Sequence, residues 1–195
     1  MSARPVIRLR PKTDPRRIRR GFPWVYDNEL VTDRRTRALA PGTIATLEDT
    51  ERRALCTVAV NPNSKIMARV LDADPVATID RAWIGARLSA ALDLRARLYD
   101  RPFYRLVHAE ADGLPGVVID RFDTAVVIQP NAAWAEARFQ DLSDAVAEAA
   151  GVCTIVKNAS GRARGLEGLD DQGGVMMGAL AGPVDVPMNG AVYKA

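Results

Sequence analysis

The stretch Tyr104–Phe122, YRLVHAEADGLPGVVIDRF, most narrowly limits how this chain can fold. Two apolar runs, Tyr104–Val107 and Val117–Ile119, flank a polar turn, Asp112-Gly113-Leu114-Pro115-Gly116. β-Branched and aromatic residues suit a pleated, half-buried surface. Gly113 and Gly116 permit positive φ, and Pro115 fixes its own φ near a turn value. A third run, Ala125–Gln129, follows Asp123-Thr124, so Val117–Phe122 and Ala125–Gln129 read as a hairpin. This predicts the sheet of a middle domain, with a separate module before it and completing elements after it.

Charge is placed unevenly. The formal net charge is +3, yet residues 1–37 hold ten Arg and one Lys against Asp14, Asp27, Glu29 and Asp33, a net +7, leaving −4 on the remainder. A concentrated basic segment at one end points to a polyanion, most simply nucleic acid. A length of 195 residues allows one large or two small domains, and 48% hydrophobic content is enough for a core. No apolar run approaches the ~20 residues of a membrane helix. The N-terminus lacks a signal peptide's apolar segment, so the expectation is a soluble, cytoplasmic protein without a membrane partner. Cys56 and Cys153 lie far apart and read as buried thiols rather than a disulfide. With one histidine, His108, no Cys/His zinc site can be assembled.

Residues 4–10 alternate apolar Val6 and Leu9 with Arg8 and Arg10, a strand with one wet, basic face. Arg16, Arg17, Arg19 and Arg20 follow, then Gly21-Phe22-Pro23-Trp24-Val25-Tyr26. Guanidinium groups neutralise phosphates and rings stack on unpaired bases, so this interleaving suits RNA. Trp24 and Tyr26 fit equally the core of a small barrel. Strands over 43–48, 54–60 and 66–71, separated by polar turns, predict a small β-barrel or sandwich over 1–73.

Asp80 can cap a helix from Arg81 to about Tyr99, with Ile84, Leu88, Ala91, Leu92 and Leu98 as its apolar stripe and Arg95 off it. A second helix is predicted over 132–150, then strands over 153–156 and 175–180. Val184, Val186, Val192 and Tyr193 alternate around Asn189-Gly190, a hairpin turn. Its second arm stops at Ala195, which reads as a chain cut short. Gly161–Gly168 is glycine-rich, but it matches no phosphate-loop spacing and no parallel βαβ unit is predicted around it. Arg162 and Arg164 could add phosphate contacts there. Glu110, Asp112 and Asp120 read as turn-forming and ion-pairing carboxylates.

RRIRRGFPWVY at 16–26, NPNSKIMARVL at 61–71, YRLVHAEADGLPGVVIDRF at 104–122 and the 189–190 hairpin, in that order, resemble one family across essentially the whole chain. It is the S-adenosylmethionine-dependent large-subunit ribosomal RNA cytosine-C5 methyltransferases with an N-terminal PUA domain. The resemblance implies a PUA barrel, a middle α/β domain and a C-terminal Rossmann-like domain holding the methyl donor and a catalytic cysteine, whose thiolate adds to C6 of cytosine. It further implies that this chain stops where that last domain begins. Cys56 and Cys153 match no nucleophile position of the family. Phe22 stands where the family usually has His before Pro-Trp, and Met188 where Glu commonly precedes Asn-Gly.

The expected fold class is therefore α+β: a PUA-like barrel over 1–73, a linker and helix over 74–100, a mostly antiparallel middle domain over 101–182, and a hairpin starting at 183. The expected RNA contacts are Arg16, Arg17, Arg19, Arg20, Trp24, Asn61, Ser64, Lys65 and Arg69. No catalytic, donor-binding or metal-binding residue is expected in this chain, and S-adenosylmethionine belongs to the full-length parent. Ribosomal RNA is the implied partner, and such a middle domain can also form a homodimer contact. Two alternatives stay open: a free-standing RNA-binding or assembly module, and a chain that itself binds the donor.

Overall fold

The computed structural model describes residues 4–188 and 190–194. The first module runs β1 (Val6–Arg8), α1 (Arg16–Arg19), β2 (Trp24–Val25), α2 (Arg34–Arg37), β3 (Thr43–Glu48), β4 (Ala54–Val60) and β5 (Ala68–Asp72). The strands form one sheet in the order β1-β3-β4-β5-β2, with only β1 and β3 parallel. The chain leaving β2 returns to β1, where Arg10 N–H donates to Glu29 O (2.8 Å) and Val31 N–H to Arg8 O (2.9 Å). These bonds close the sheet on itself. Ile7, Leu9, Leu30, Leu47, Val58 and Met67 fill its interior. Ile7 and Leu9 point inward, whereas Val6 is 51% exposed. Leu9 is inward as predicted, but Val6 is not, because period two puts it on the same face as Arg8.

The second module runs α3 (Arg81–Leu98), β6 (Phe103–His108), β7 (Val117–Phe122), β8 (Ala125–Pro130), α4 (Ala133–Ala137), α5 (Phe139–Ala150), β9 (Thr154–Lys157), α6 (Arg162–Leu166) and β10 (Gly174–Met177). Its sheet order is β10-β9-β8-β7-β6, antiparallel except between β8 and β9. That parallel pair, joined through α4 and α5, is a βαβ unit that the sequence does not predict before the glycine-rich segment. Ile84, Leu88 and Ala91 of α3 and Leu142 and Val146 of α5 share one core with Leu106, Ile119, Val126, Ile128 and Ile155. The helix of the expected linking segment is thus packed in the second core. Its stripe continues through Arg95, not Leu98, which is 63% exposed. Arg95 clamps Asp112 at 2.7 Å to each carboxylate oxygen and donates to Arg105 O (3.0 Å).

The single helix predicted over 132–150 is broken at Arg138 (φ −116°, ψ 25°). The two pieces serve different surfaces. Trp134, 1% exposed, pins α4 to the central turn by donating Nε1–H to Pro115 O (2.8 Å), while α5 packs on α3. The structure is α+β, as the sequence implies. β11 (Asp185–Met188) and β12 (Ala191–Lys194) pair as an antiparallel hairpin outside both sheets. Asn189, the first residue of its predicted turn, lies outside the described residues. Among the described residues no helix is long and apolar enough to cross a membrane.

Candidate nucleic-acid interface

The basic end folds around α1, whose Ile18 is buried and whose arginines therefore face outward or sideways. Arg16 and Arg20 are exposed and make no ion pair among the described residues. Arg17 is held inward: Nη2 donates to Trp24 O (3.1 Å) and Glu29 Oε2 (2.8 Å), and its guanidinium lies 4.3 Å from the centre of the Phe22 ring. Arg19 is exposed but reaches Asp49 at 3.3 Å. Phe22 meets Trp24 edge-on, with ring centres 6.2 Å apart. Arg16, Arg17, Arg20 and Phe22 line a shallow depression of about 460 Å³.

The other expected contacts converge at the joint between the modules. Glu167, 3% exposed, accepts from Asn61 Nδ2 (2.9 Å), Ser64 Oγ (3.0 Å), Arg69 Nη2 (2.9 Å) and Ala133 N–H (3.3 Å). Arg69 Nη1 also meets Glu110 Oε1 (3.1 Å), which accepts Trp24 Nε1–H (2.7 Å). One polar chain therefore runs from Trp24 through Glu110, Arg69 and Glu167 to Asn61 and Ser64. Asn61, Ser64 and Arg69 place their polar atoms inward, fixing the joint. Lys65 is exposed and has no ion pair among the described residues. Beside the network opens a cleft of about 670 Å³, lined by Trp24, Lys65, Glu110, Val118, Asn131 and Leu166 among others.

Sequence reasoning missed Glu167, and it read Glu110 as an ion-pairing carboxylate without identifying its partner. Glu167 lies in the glycine-rich segment, and Glu110 has as its partner a residue 41 positions away. No local spacing signals either pairing. Arg164 is 1% exposed and donates to Pro130 O (2.6 Å) and Glu136 Oε2 (2.9 Å), so it cannot reach a phosphate as the sequence reading allowed. Gly161–Leu166 is a five-residue helix with its cap, anchored by that arginine. Cys56 is buried, and burial pushes its thiol up to about 12. Cys153 is exposed, contrary to expectation, because it precedes β9 at the sheet's rim.

Residues 7–73 match the family described as a PUA-like domain. The chain is 37% identical over 193 residues to a ribosomal RNA large subunit methyltransferase of Deinococcus radiodurans, covering 93% of this chain and 46% of that protein. It is 34% identical over 183 residues to ribosomal RNA large subunit methyltransferase I of Cronobacter sakazakii, covering 92% and 45%. The chain thus spans less than half the length of these relatives. A candidate S-adenosylmethionine-dependent methyltransferase from Streptococcus mutans superposes with a TM-score of 0.78 at 12% identity, over 97% of this chain and 48% of that one. That likeness is one of fold. The chain carries a PUA-like domain and is homologous to large-subunit ribosomal RNA methyltransferases.

Proposed function

We propose that this chain is the RNA-recognition portion of an S-adenosylmethionine-dependent ribosomal RNA (cytosine-C5) methyltransferase, working in the cytoplasm and without turnover by itself. One observation carries the proposal: exposed, unpaired cations continue through Phe22 and Trp24 into a cleft between two modules joined by a polar network. Arg16 and Arg20 supply phosphate contacts at the patch, and Lys65 at the cleft. Arg17 and Arg19, through their pairs, hold that surface in place while presenting positive edges. Trp24 offers a ring. Asn61, Ser64 and Arg69 orient the Lys65 turn, so the PUA-like module (1–73) and the middle domain (101–182) present one surface. The methyl donor and the nucleophile are contributed by a domain of the parent, and no step of the reaction is assigned to residues here.

Filter binding to ribosomal RNA fragments at several salt concentrations tests this. Arg20→Ala should weaken binding for every fragment and lower the log–log salt slope by about 1. Binding that ignores salt would overturn the electrostatic reading. Methyl transfer from labelled donor by these 195 residues alone would overturn the division of labour.

A further inference from the structure

We infer that the cleft between the two modules receives one unpaired nucleobase of RNA. This rests on the RNA reading above and names what that surface holds. At about 670 Å³ the cleft is within the range of small-ligand sites and large enough for a nucleotide. The Trp24 N–H is already given to Glu110 (2.7 Å), so what this residue offers a ligand is its π-surface. Val118 and Leu166 supply apolar wall, and Leu166 is 68% exposed, a high value for a leucine beside a tryptophan-lined cleft.

The polar wall is incompletely satisfied. The Asn131 carboxamide makes no hydrogen bond among the described residues, and its Oδ1 is shielded from solvent without a partner. Buried polar atoms are normally paired, and because Oδ1 has no accessible surface the amide must turn about its side-chain torsion to meet a ligand in the cleft. A carboxamide can meet a base edge as donor and acceptor together, and Glu110 adds an acceptor. Lys65 lies at the cleft, and Arg16 and Arg20 flank the path through Phe22, placing cations where the phosphates on either side of an extruded base would run. An aromatic surface, an amide and phosphate-binding cations together are the means by which single-stranded RNA is read. A base stacked within a duplex cannot enter such a cleft.

The test compares RNA hairpins identical except at one bulged position, which carries U, C, A, G or an abasic sugar, by fluorescence anisotropy with the whole chain at fixed salt. At least one base-bearing bulge should bind about 5- to 100-fold tighter than the abasic hairpin. Trp24→Ala should bring the two to parity. Leu166→Asp, on an exposed residue whose replacement spares the fold, should reduce the preference as well. Equal, salt-dependent binding of all hairpins by the unaltered chain would overturn the cleft inference and leave the basic-surface reading standing. A preference that survives both substitutions places the base elsewhere and also overturns it. Binding of no hairpin removes the RNA reading and this inference together.

Discussion

Replacing Glu167 by Ala should loosen the joint more than any surface change. The carboxylate is 3% exposed and gathers Asn61, Ser64, Arg69 and the Ala133 N–H. Removing one member of a buried ion pair costs about 3–5 kcal/mol, because the other charge stays buried. Two contacts survive: Arg69 keeps Glu110 (3.1 Å), and Asn61 keeps the Glu167 backbone carbonyl (2.9 Å). Those leave the expected loss at the lower end, about 3 kcal/mol. For a chain of this size that corresponds to about 6–12 °C in Tm. Glu167→Gln keeps the shape and one acceptor and should lose about half as much. Urea unfolding followed by circular dichroism and tryptophan fluorescence measures both. The double variant Glu167→Leu/Arg69→Met should recover part of the loss, since no guanidinium is left facing an empty carboxylate site, while Glu110 loses Arg69 but keeps the Trp24 N–H. A Glu167→Ala chain within about 0.5 kcal/mol of the parent would refute the reasoning, because that is the range of ordinary surface substitutions.

Acid should act on the central turn through Asp112. Burial pushes its carboxyl up, but the Arg95 guanidinium and the His108 N–H outweigh that and hold it below the ordinary 3.8. A carboxylate depressed in the folded state contributes stability above its unfolded value and loses it as pH falls through its folded one. Stability should therefore drop below about pH 4, and Asp112→Asn should be less stable at neutral pH with a flatter acid limb, read by thermal melts across pH. Gly42 has φ +84°, and a Cβ there would sit 2.7 Å from Ala133 O, so Gly42→Ala should cost about 2–3 kcal/mol in urea unfolding and weaken the contact between modules. A thiol reagent should titrate Cys153 alone in the native chain and both cysteines in denaturant, since Cys56 is buried; two fast thiols without denaturant would contradict the packing of the first core.

Local signals carried much of the fold. The alternation over Thr43–Glu48 and Ala54–Val60, the Asp123-Thr124 turn between β7 and β8, and the Asp80 cap on α3, whose carboxylate accepts from Trp83 N–H (2.9 Å), each lie within a few residues of what they specify. Elements that depend on distant partners were not legible. The break at Arg138 follows from Trp134 binding Pro115, 19 positions back. Arg95 sits on an apolar stripe because Asp112, 17 positions on, neutralises it. Within the candidate site, the arginines and Trp24 stood out by density, whereas Asn131 is an isolated amide whose significance lies in lacking a partner. Glu167 acquires its role from residues about a hundred positions away.

The same distinction limits what the basic end can do. Counted along the sequence, residues 1–37 hold eleven cationic side chains, ten Arg and one Lys. In the structure Arg8, Arg17 and Arg19 are paired with Glu48, Glu29 and Asp49, and Arg4 and Arg10 donate to backbone carbonyls. Lys12, Arg16, Arg20, Arg34, Arg35 and Arg37 remain exposed and without an ion pair among the described residues. Each phosphate contact contributes about 0.7–0.9 to the salt slope, so these six together with Lys65 set a ceiling of about 5–6 for RNA binding by the basic end and the Lys65 turn. All eleven together with Lys65 would give about 8–11. A measured slope near the larger figure would mean that binding opens the ion pairs of the barrel, and the preformed surface would have to give way to one that RNA itself assembles.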